Sequence, residues 1–431
     1  MITVLAFLFV LGVLIFVHEL GHFLVARWYG VRVLTFSLGF GPKLLSVRRG
    51  DTVYCVSAVP LGGYVKLAGE TVEDTRTGAS DEFLSKSKWV RFQVYLAGPV
   101  MNLLLAFVAL AAALSAGADV PLWHKQAPVI GTLKEGTPAA LAGLRVGDRV
   151  ISVNGQPVAT WDELDVQVVP RANRELPVVI ERDGQRVELA ITPEAVTKYE
   201  FGDLGIGPLY RPQLLNIVAD SAASRAGLQH GDVLLAVGGA PGPTQENVIE
   251  RIRASADQPL TFLVERDGRP IEVTAVPSDE GGYGRLGAVI SAYEVAHVNP
   301  TLWQAFGLSA ERNWENTKLI GRTVVGLFTA DIPVRQLMGP VGIAELSGSA
   351  AVIGWTALFS TMAMISLNLG LLNLLPVPVL DGGHIAILAV EGLARRDLSA
   401  RVKERVLMAG AAMLVLLMVT VIYNDVARLL R

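Results

Sequence analysis

Long apolar runs alternate with polar blocks along this chain. Four runs reach the roughly 20 residues that a bilayer span needs: Ile2 to Ala26, Phe92 to Leu114, Gly354 to Leu375 and Val406 to Tyr423. Each predicts a membrane helix. The first is not read as a secretory signal, because it has no basic leader and it carries His18, Glu19 and His22. Between the first two runs the period changes. Val53, Cys55, Ser57 and Val59 alternate with Tyr54, Val56 and Ala58, and Pro60-Leu61-Gly62-Gly63 ends the alternation. β-branched residues at period two predict a strand or hairpin over Asp51 to Lys66, and Gly39-Phe40-Gly41-Pro42 reads as another turn. Such a hairpin either dips into the bilayer under protein cover or forms a small cytoplasmic sheet. Thr301 to Leu327 mixes Trp303, Phe306, Leu308 and Trp314 with Glu311, Arg312, Glu315 and Lys318. That pattern suits an amphipathic helix at the membrane interface, with a soluble linker helix as the alternative.

The polar middle is duplicated. Gly143-Leu144-Arg145-Val146-Gly147-Asp148 returns as Gly227-Leu228-Gln229-His230-Gly231-Asp232, Asn154-Gly155 as Gly238-Gly239, and Glu181-Arg182-Asp183-Gly184 as Glu265-Arg266-Asp267-Gly268. All three matches share an offset of 84 residues, which marks a repeated domain. Each copy shows short alternating strands, Asp-Gly hairpin turns and one helix, near Trp161 to Val168 and Gln245 to Ala254. The predicted organisation is a membrane half over 1–116, repeat units over 127–194 and 212–277, an amphipathic linker over 295–350, and a second membrane half over 351–431.

Composition agrees with a hybrid. The 431 residues are 51% hydrophobic and 18% charged, with a mean hydropathy of +0.44. This is too apolar for an ordinary soluble protein. A net charge of −3 argues against a nucleic-acid partner. The single cysteine, Cys55, excludes an intramolecular disulfide and a zinc-thiolate cluster. Basic residues crowd the loop after the first run (Arg27, Arg32, Lys43, Arg48, Arg49, Lys66), its far end (Lys86, Lys88, Arg91), and the loop between the third and fourth runs (Arg395, Arg396, Arg401, Lys403, Arg405). Short basic loops face the cytoplasm, so both termini and the repeat are expected outside. Arg428 and Arg431 count slightly against this orientation.

Candidate chemistry starts at His18-Glu19-Leu20-Gly21-His22. One helical turn puts the two imidazoles on one face beside a carboxylate, a pattern for zinc held by two His with Glu as general base. Ionisable groups in a membrane span are costly, which raises the odds of function. A third ligand is needed. Asn373-Leu374-Leu375-Pro376-Val377-Pro378-Val379-Leu380-Asp381-Gly382-Gly383-His384 breaks the third run with two prolines and two glycines. Asp381 is the favoured donor there, and His384 competes. A transporter with an ion site and a membrane-tethered scaffold are the other classes weighed. A transporter explains buried charge and a broken helix but not the HExxH spacing or the tandem peptide-binding-like modules, and the intact metal set counts against a scaffold.

These paired motifs resemble the site-2 protease family of intramembrane zinc proteases. The repeat resembles PDZ domains through Thr137-Pro138-Ala139-Ala140-Leu141-Ala142-Gly143-Leu144, with a departure at Gly238 where Asn is expected. Together they point to the bacterial branch that regulates sigma-E. The resemblance implies a polytopic α-helical membrane protein with four transmembrane helices, a membrane-associated β-hairpin and two inserted extracytoplasmic α+β PDZ-like domains. It implies Zn²⁺ on His18, His22 and Asp381, with Glu19 as the catalytic base. Gly98-Pro99-Val100-Met101-Asn102 matches the family's second-span motif, Asn373 stands at the Asn of the family's later-span motif, and Pro60 to Lys66 matches its membrane-dipping β-loop. The resemblance implies that Asn102 and Asn373 hold substrate backbone, with interhelical hydrogen bonding as the alternative, and that Gly62, Gly63 and Tyr64 present the substrate strand. The implied partners are the lipid bilayer and single-span membrane substrates such as an anti-sigma factor, with signal-peptide remnants as a further class. The PDZ-like domains imply either capture of peptide C-termini or exclusion of bulky ectodomains. The implied location is the bacterial inner membrane, with termini and PDZ-like domains periplasmic and the active site toward the cytoplasm. His18 lies six to eight residues from the basic end of its span, or about 9–12 Å deep.

Overall fold

The computed structural model describes residues 2–70, 77–121, 123–242, 244–329 and 332–429. Arg431, counted among the C-terminal charges, lies outside the described residues. The chain forms two compact units, Met1–Gly117 with Asn299–Arg431, and Ala118–Val298.

The first unit holds the apolar runs. Its helices are α1 (Ile2–Trp28), α2 (Lys88–Ser115), α3 (Leu302–Phe328), α4 (Pro340–Ile353), α5 (Trp355–Asn373), α6 (Asp381–Leu393) and α7 (Ala400–Leu429). Four of them, α1, α2, α5 and α7, are long and apolar enough to cross a membrane. α2 is the hub: α1, α3, α5 and α6 all pack along it, whereas α1 and α5 barely touch. The first and third spans are therefore joined through a shared neighbour, α2, rather than by a direct seam. Small residues permit the close approach. A Cβ on Gly21 would meet the Ala97 carbonyl carbon at 2.7 Å, and one on Gly370 would meet the Pro99 oxygen at 3.1 Å.

The predicted linker is two helices. α3 starts where Gln304 accepts from the main-chain nitrogen of Thr301 at 2.9 Å. It buries Ala305 and Ser309, and the Ser309 hydroxyl donates to the Phe107 oxygen of α2 at 2.7 Å. Trp303 and Trp314 remain exposed. α4 is apolar and packs on α1, with Gly348 against Thr3. Its N-terminal amides at Gly339, Val341 and Gly342 donate to the buried Asp425 carboxylate of α7 at 3.1–3.2 Å. Four orphan amides at a helix start need such an acceptor, which accounts for an acid in the last span. Arg428 pairs with the same carboxylate at 3.1 Å.

The hairpin is longer than Asp51 to Lys66. Strands β1 (Val33–Arg49) and β2 (Thr52–Leu67) fold back on each other twice. The first half of β1 pairs on one side with Val53–Val56 and on the other with Gly63–Leu67, while Lys43–Arg49 pairs with Thr52–Ser57. The turn at Gly39 and Gly41 uses φ of +89° and +83°, conformations open to glycine. One edge, Lys43–Arg49, is exposed and carries Leu44, Leu45 and Val47. The other edge, Gly63–Leu67, runs past α1.

The second unit contains the repeat. In the first copy the strand order is Gln156–Pro157, Arg149–Val153, Leu176–Arg182, Gln185–Ile191. In the second it is Arg269–Ala275, Leu260–Arg266, Val233–Val237, Gln213–Ile217, Ala288–Ser291. Each sheet covers one helix, Trp161–Val168 or Gln245–Ala254, over a separate apolar core. The two repeated motifs meet in space. Asp148 is gripped by Arg182 at 2.7 Å, and Asp232 by Arg266 at 2.7 Å. The same guanidinium donates to the Gly143 or Gly227 oxygen at 2.8 and 2.9 Å. This clamp explains why Gly-x-x-x-Gly-Asp and Glu-Arg-Asp-Gly recur together. Gly238 has φ +56°, matching Asn154 at +53°. The left-handed position accepts either residue, so the departure at Gly238 leaves the turn unchanged.

Candidate metal centre

α1 brings His18 and His22 onto one face, and α6 brings Asp381 to them. His18 Nε2 lies 3.2 Å and His22 Nε2 3.5 Å from the two Asp381 oxygens. The two imidazole nitrogens are 3.2 Å apart. Among the described residues this is the cluster of donors close enough to share a metal, with ligand atoms within 4.8 Å of one another. Nitrogens and carboxylate oxygens converging this tightly need a positive charge among them, either a proton or a metal. His22 Nδ1 faces the Val94 main-chain oxygen at 2.7 Å. That oxygen only accepts, so Nδ1 carries a hydrogen, and in the neutral ring Nε2 then keeps its lone pair for a metal. Two imidazoles and one carboxylate form a zinc donor set that leaves a fourth position open.

Glycine makes the space. A Cβ on Gly98 of α2 would overlap the His22 ring, with Cε1 at 2.7 Å, and approach His18 Cε1 to 2.8 Å. Gly98 and Val94 are two contributors that motif matching did not single out. The signal for Gly98 was its place in Gly98-Pro99-Val100-Met101-Asn102. No side-chain pattern signals Val94, which acts through its main chain.

Asp381 is held by an irregular segment. α5 ends at Asn373, and the chain restarts as α6 at Asp381. Val379 has φ +85°, a costly conformation for a β-branched residue. Gly382 and Gly383 lie against the main chain of 374–378, and Gly410 of α7 lies against Pro378. Packing from both sides thus holds the strained segment. His384 is not in the cluster. Its ring stacks on Tyr95, with centroids 4.7 Å apart.

The remaining expected site residues occupy distinct places. Glu19 sits between the two histidines on α1, and a Cβ on Gly63 would meet its Cγ at 3.0 Å. Gly62 has φ +153° under the Phe40 ring, and Tyr64 stacks on Phe40 at 6.2 Å. The sheet edge therefore passes the HExxH carboxylate. Asn373 closes α5 and is half-buried. Asn102 is fully buried, with its side-chain nitrogen 3.1 Å from His18 Nδ1.

Fold and site together define a multi-span membrane hydrolase of the zinc type, with a split donor set supplied by two helices. The model of peptidase family M50 matches residues 6–417, and the chain belongs to that family of zinc metalloendopeptidases, the site-2 proteases. It is 34% identical over 450 residues to the regulator of sigma E protease of Salmonella typhi, covering 98% of each chain. It is 33% identical over 450 residues to the regulator of sigma-E protease RseP of Escherichia coli K12, again over 98% of each. A Neisseria meningitidis protein named as a zinc metalloprotease is 33% identical over 458 residues, 99% of each chain.

Proposed function

We propose that this protein is an intramembrane endopeptidase that cuts the transmembrane segments of single-span membrane proteins in regulated proteolysis. The observation that carries this reading is the convergence of His18, His22 and Asp381 at 3.2–3.5 Å beside Glu19. These three side chains would hold the zinc, which supplies Lewis acidity toward water and a peptide carbonyl when bound. Glu19 takes the proton from the attacking water and delivers it to the leaving amine.

The substrate must leave its helix before cleavage, because a helical amide is hydrogen-bonded and hidden. The Gly63–Leu67 edge is paired on one side with β1, and a substrate strand adds to its other side. Gly63 keeps that edge close to α1, Gly62 fits under the Phe40 ring, Tyr64 braces the edge on Phe40, and Asn373 holds a freed backbone group. The basic loops orient the site toward the cytoplasm, and the repeat units stand outside as PDZ-like domains. In the second unit, a groove between helix Gln245–Ala254 and strand Ala288–Ser291 is lined by Ile249, Ile252, Arg253 and Ile290. An apolar groove with a guanidinium suits the carboxyl end of an extended peptide. Relatives named as regulators of sigma-E support an anti-sigma factor as the substrate, in the inner membrane of a bacterium.

The test is Glu19→Gln in the full-length chain with zinc content measured. Cleavage of a model single-span substrate is expected to fall by at least a hundredfold with zinc retained. Undiminished cleavage overturns the assignment.

A further inference from the structure

Asn102 has no exposed surface. Its main-chain oxygen accepts from the Ser366 hydroxyl of α5 at 2.8 Å, and a Cβ on Gly370 would sit 3.3 Å from its own Cβ. Its place is therefore fixed by α2–α5 packing. Its side-chain nitrogen lies 3.1 Å from His18 Nδ1, while its side-chain oxygen is buried without a partner.

The outer nitrogens of the two histidines are held differently. His22 Nδ1 faces a main-chain oxygen, which fixes its tautomer. His18 Nδ1 faces an amide, whose nitrogen and oxygen ends have the same shape and are assigned only by their partners. With the amide nitrogen toward the ring, His18 Nδ1 must accept. Its hydrogen then sits on Nε2, the atom 3.2 Å from Asp381, and that tautomer cannot ligate a metal. With the amide oxygen toward the ring, Nδ1–H donates and Nε2 is free. One amide atom stays without a partner in either orientation, so the ring tautomer decides.

We propose that Asn102 is a positioning residue that turns its side-chain oxygen to His18 Nδ1 and so fixes the tautomer in which Nε2 binds the metal. The proposal rests on the zinc reading of His18, His22 and Asp381. It gives Asn102 a different task from holding substrate backbone, since a side chain with no exposed surface, engaged by an imidazole, offers no free face to a peptide. The pair of histidines is thus supported asymmetrically, one by main chain and one by a replaceable side chain.

The experiment measures the zinc dissociation constant of the detergent-solubilised full-length chain by chelator competition, for wild type, Asn102→Asp and Asn102→Leu. A carboxylate accepts but cannot donate, so Asn102→Asp is expected to bind zinc within about threefold of wild type. Leucine has similar volume and no acceptor, so Asn102→Leu is expected to lose about 10–100-fold. KM for a cleavable single-span substrate at saturating zinc is expected to stay within about twofold in both. Asn102→Leu binding zinc as tightly as wild type overturns the proposal, as does Asn102→Asp losing as much as Asn102→Leu. A raised KM with unchanged zinc affinity returns Asn102 to the substrate. If Asn102→Leu does not fold, nitrogen chemical shifts of His18 in the zinc-loaded wild type decide: a protonated Nδ1 supports the proposal, and a protonated Nε2 overturns it. Wild type without stoichiometric zinc sinks the zinc reading itself, a result distinct from any difference among the variants.

Discussion

Gly98→Ala adds one methyl group, and in most helices that substitution stabilises by about 1 kcal/mol. Here the methyl would lie 2.7 Å from His22 Cε1 and 2.8 Å from His18 Cε1. Ordinary carbon contacts begin near 3.5 Å, and His22 Nε2 lies closer to the added methyl than either carbon, so the rings or the helices must separate by at least about 0.8 Å. Metal sites tolerate about 0.2 Å in ligand distance, and catalytic geometry about 0.5 Å. The rings cannot simply swing away, because His22 is anchored to Val94 and α1 is pressed on α2 at Gly21. Overpacking of this kind costs about 1–3 kcal/mol. Placed on the rings of His18 and His22, it predicts, for the proposed donor set, at least a tenfold loss of zinc affinity and a larger loss of cleavage. Gly12→Ala is the control: it lies in α1 with nothing within 4 Å of the added methyl, and it is expected to leave both unchanged. The assay is zinc titration of purified full-length protein, followed by cleavage of a model substrate at saturating zinc. A Gly98→Ala protein with wild-type zinc affinity and wild-type turnover refutes the claim that this glycine makes room for the ligands.

Two further outcomes concern the duplicated unit. Burial, with Asp162 and Asp203 nearby, pushes the Asp165 carboxyl up from 3.8 to about 6. A raised acid favours the fold while protonated, so its contribution is full below about pH 4 and lost as pH rises through 6. The displacement caps the effect at about 3 kcal/mol, and solvent at this partly exposed group lowers it to about 1–2 kcal/mol. Asp165→Asn is therefore expected to slow hydrogen exchange in strand 176–182 at pH 7 but not at pH 4; equal effects at both refute the assignment. The buried Asp232 clamp predicts that Asp232→Ala destabilises the second copy by about 3 kcal/mol, seen as faster exchange in 260–266 while the first copy is unchanged. Uniform loosening of both copies would contradict their separate cores.

Sequence alone determined a good deal here. The four apolar runs determined the spanning helices, because length and hydropathy are local quantities. HExxH determined the facing histidines, because helical periodicity is local too. The repeat determined two like modules, and the equal spacing of its motifs in the two copies reflects a clamp made inside each. What tertiary structure alone decided is relational. That Asp381 rather than His384 meets the histidines depends on where the chain restarts after Pro378, and on Tyr95 stacking with His384. That α2 mediates the assembly depends on Gly21, Gly98 and Gly370 meeting their neighbours, and a glycine in a sequence does not say what it touches. The hairpin's doubled pairing is likewise invisible to a period-two pattern, which fixes faces but not partners. Asn102 is the sharpest case. Its sequence marks a polar residue in a span, and only the approach of α1 to α2 turns that residue toward His18 Nδ1.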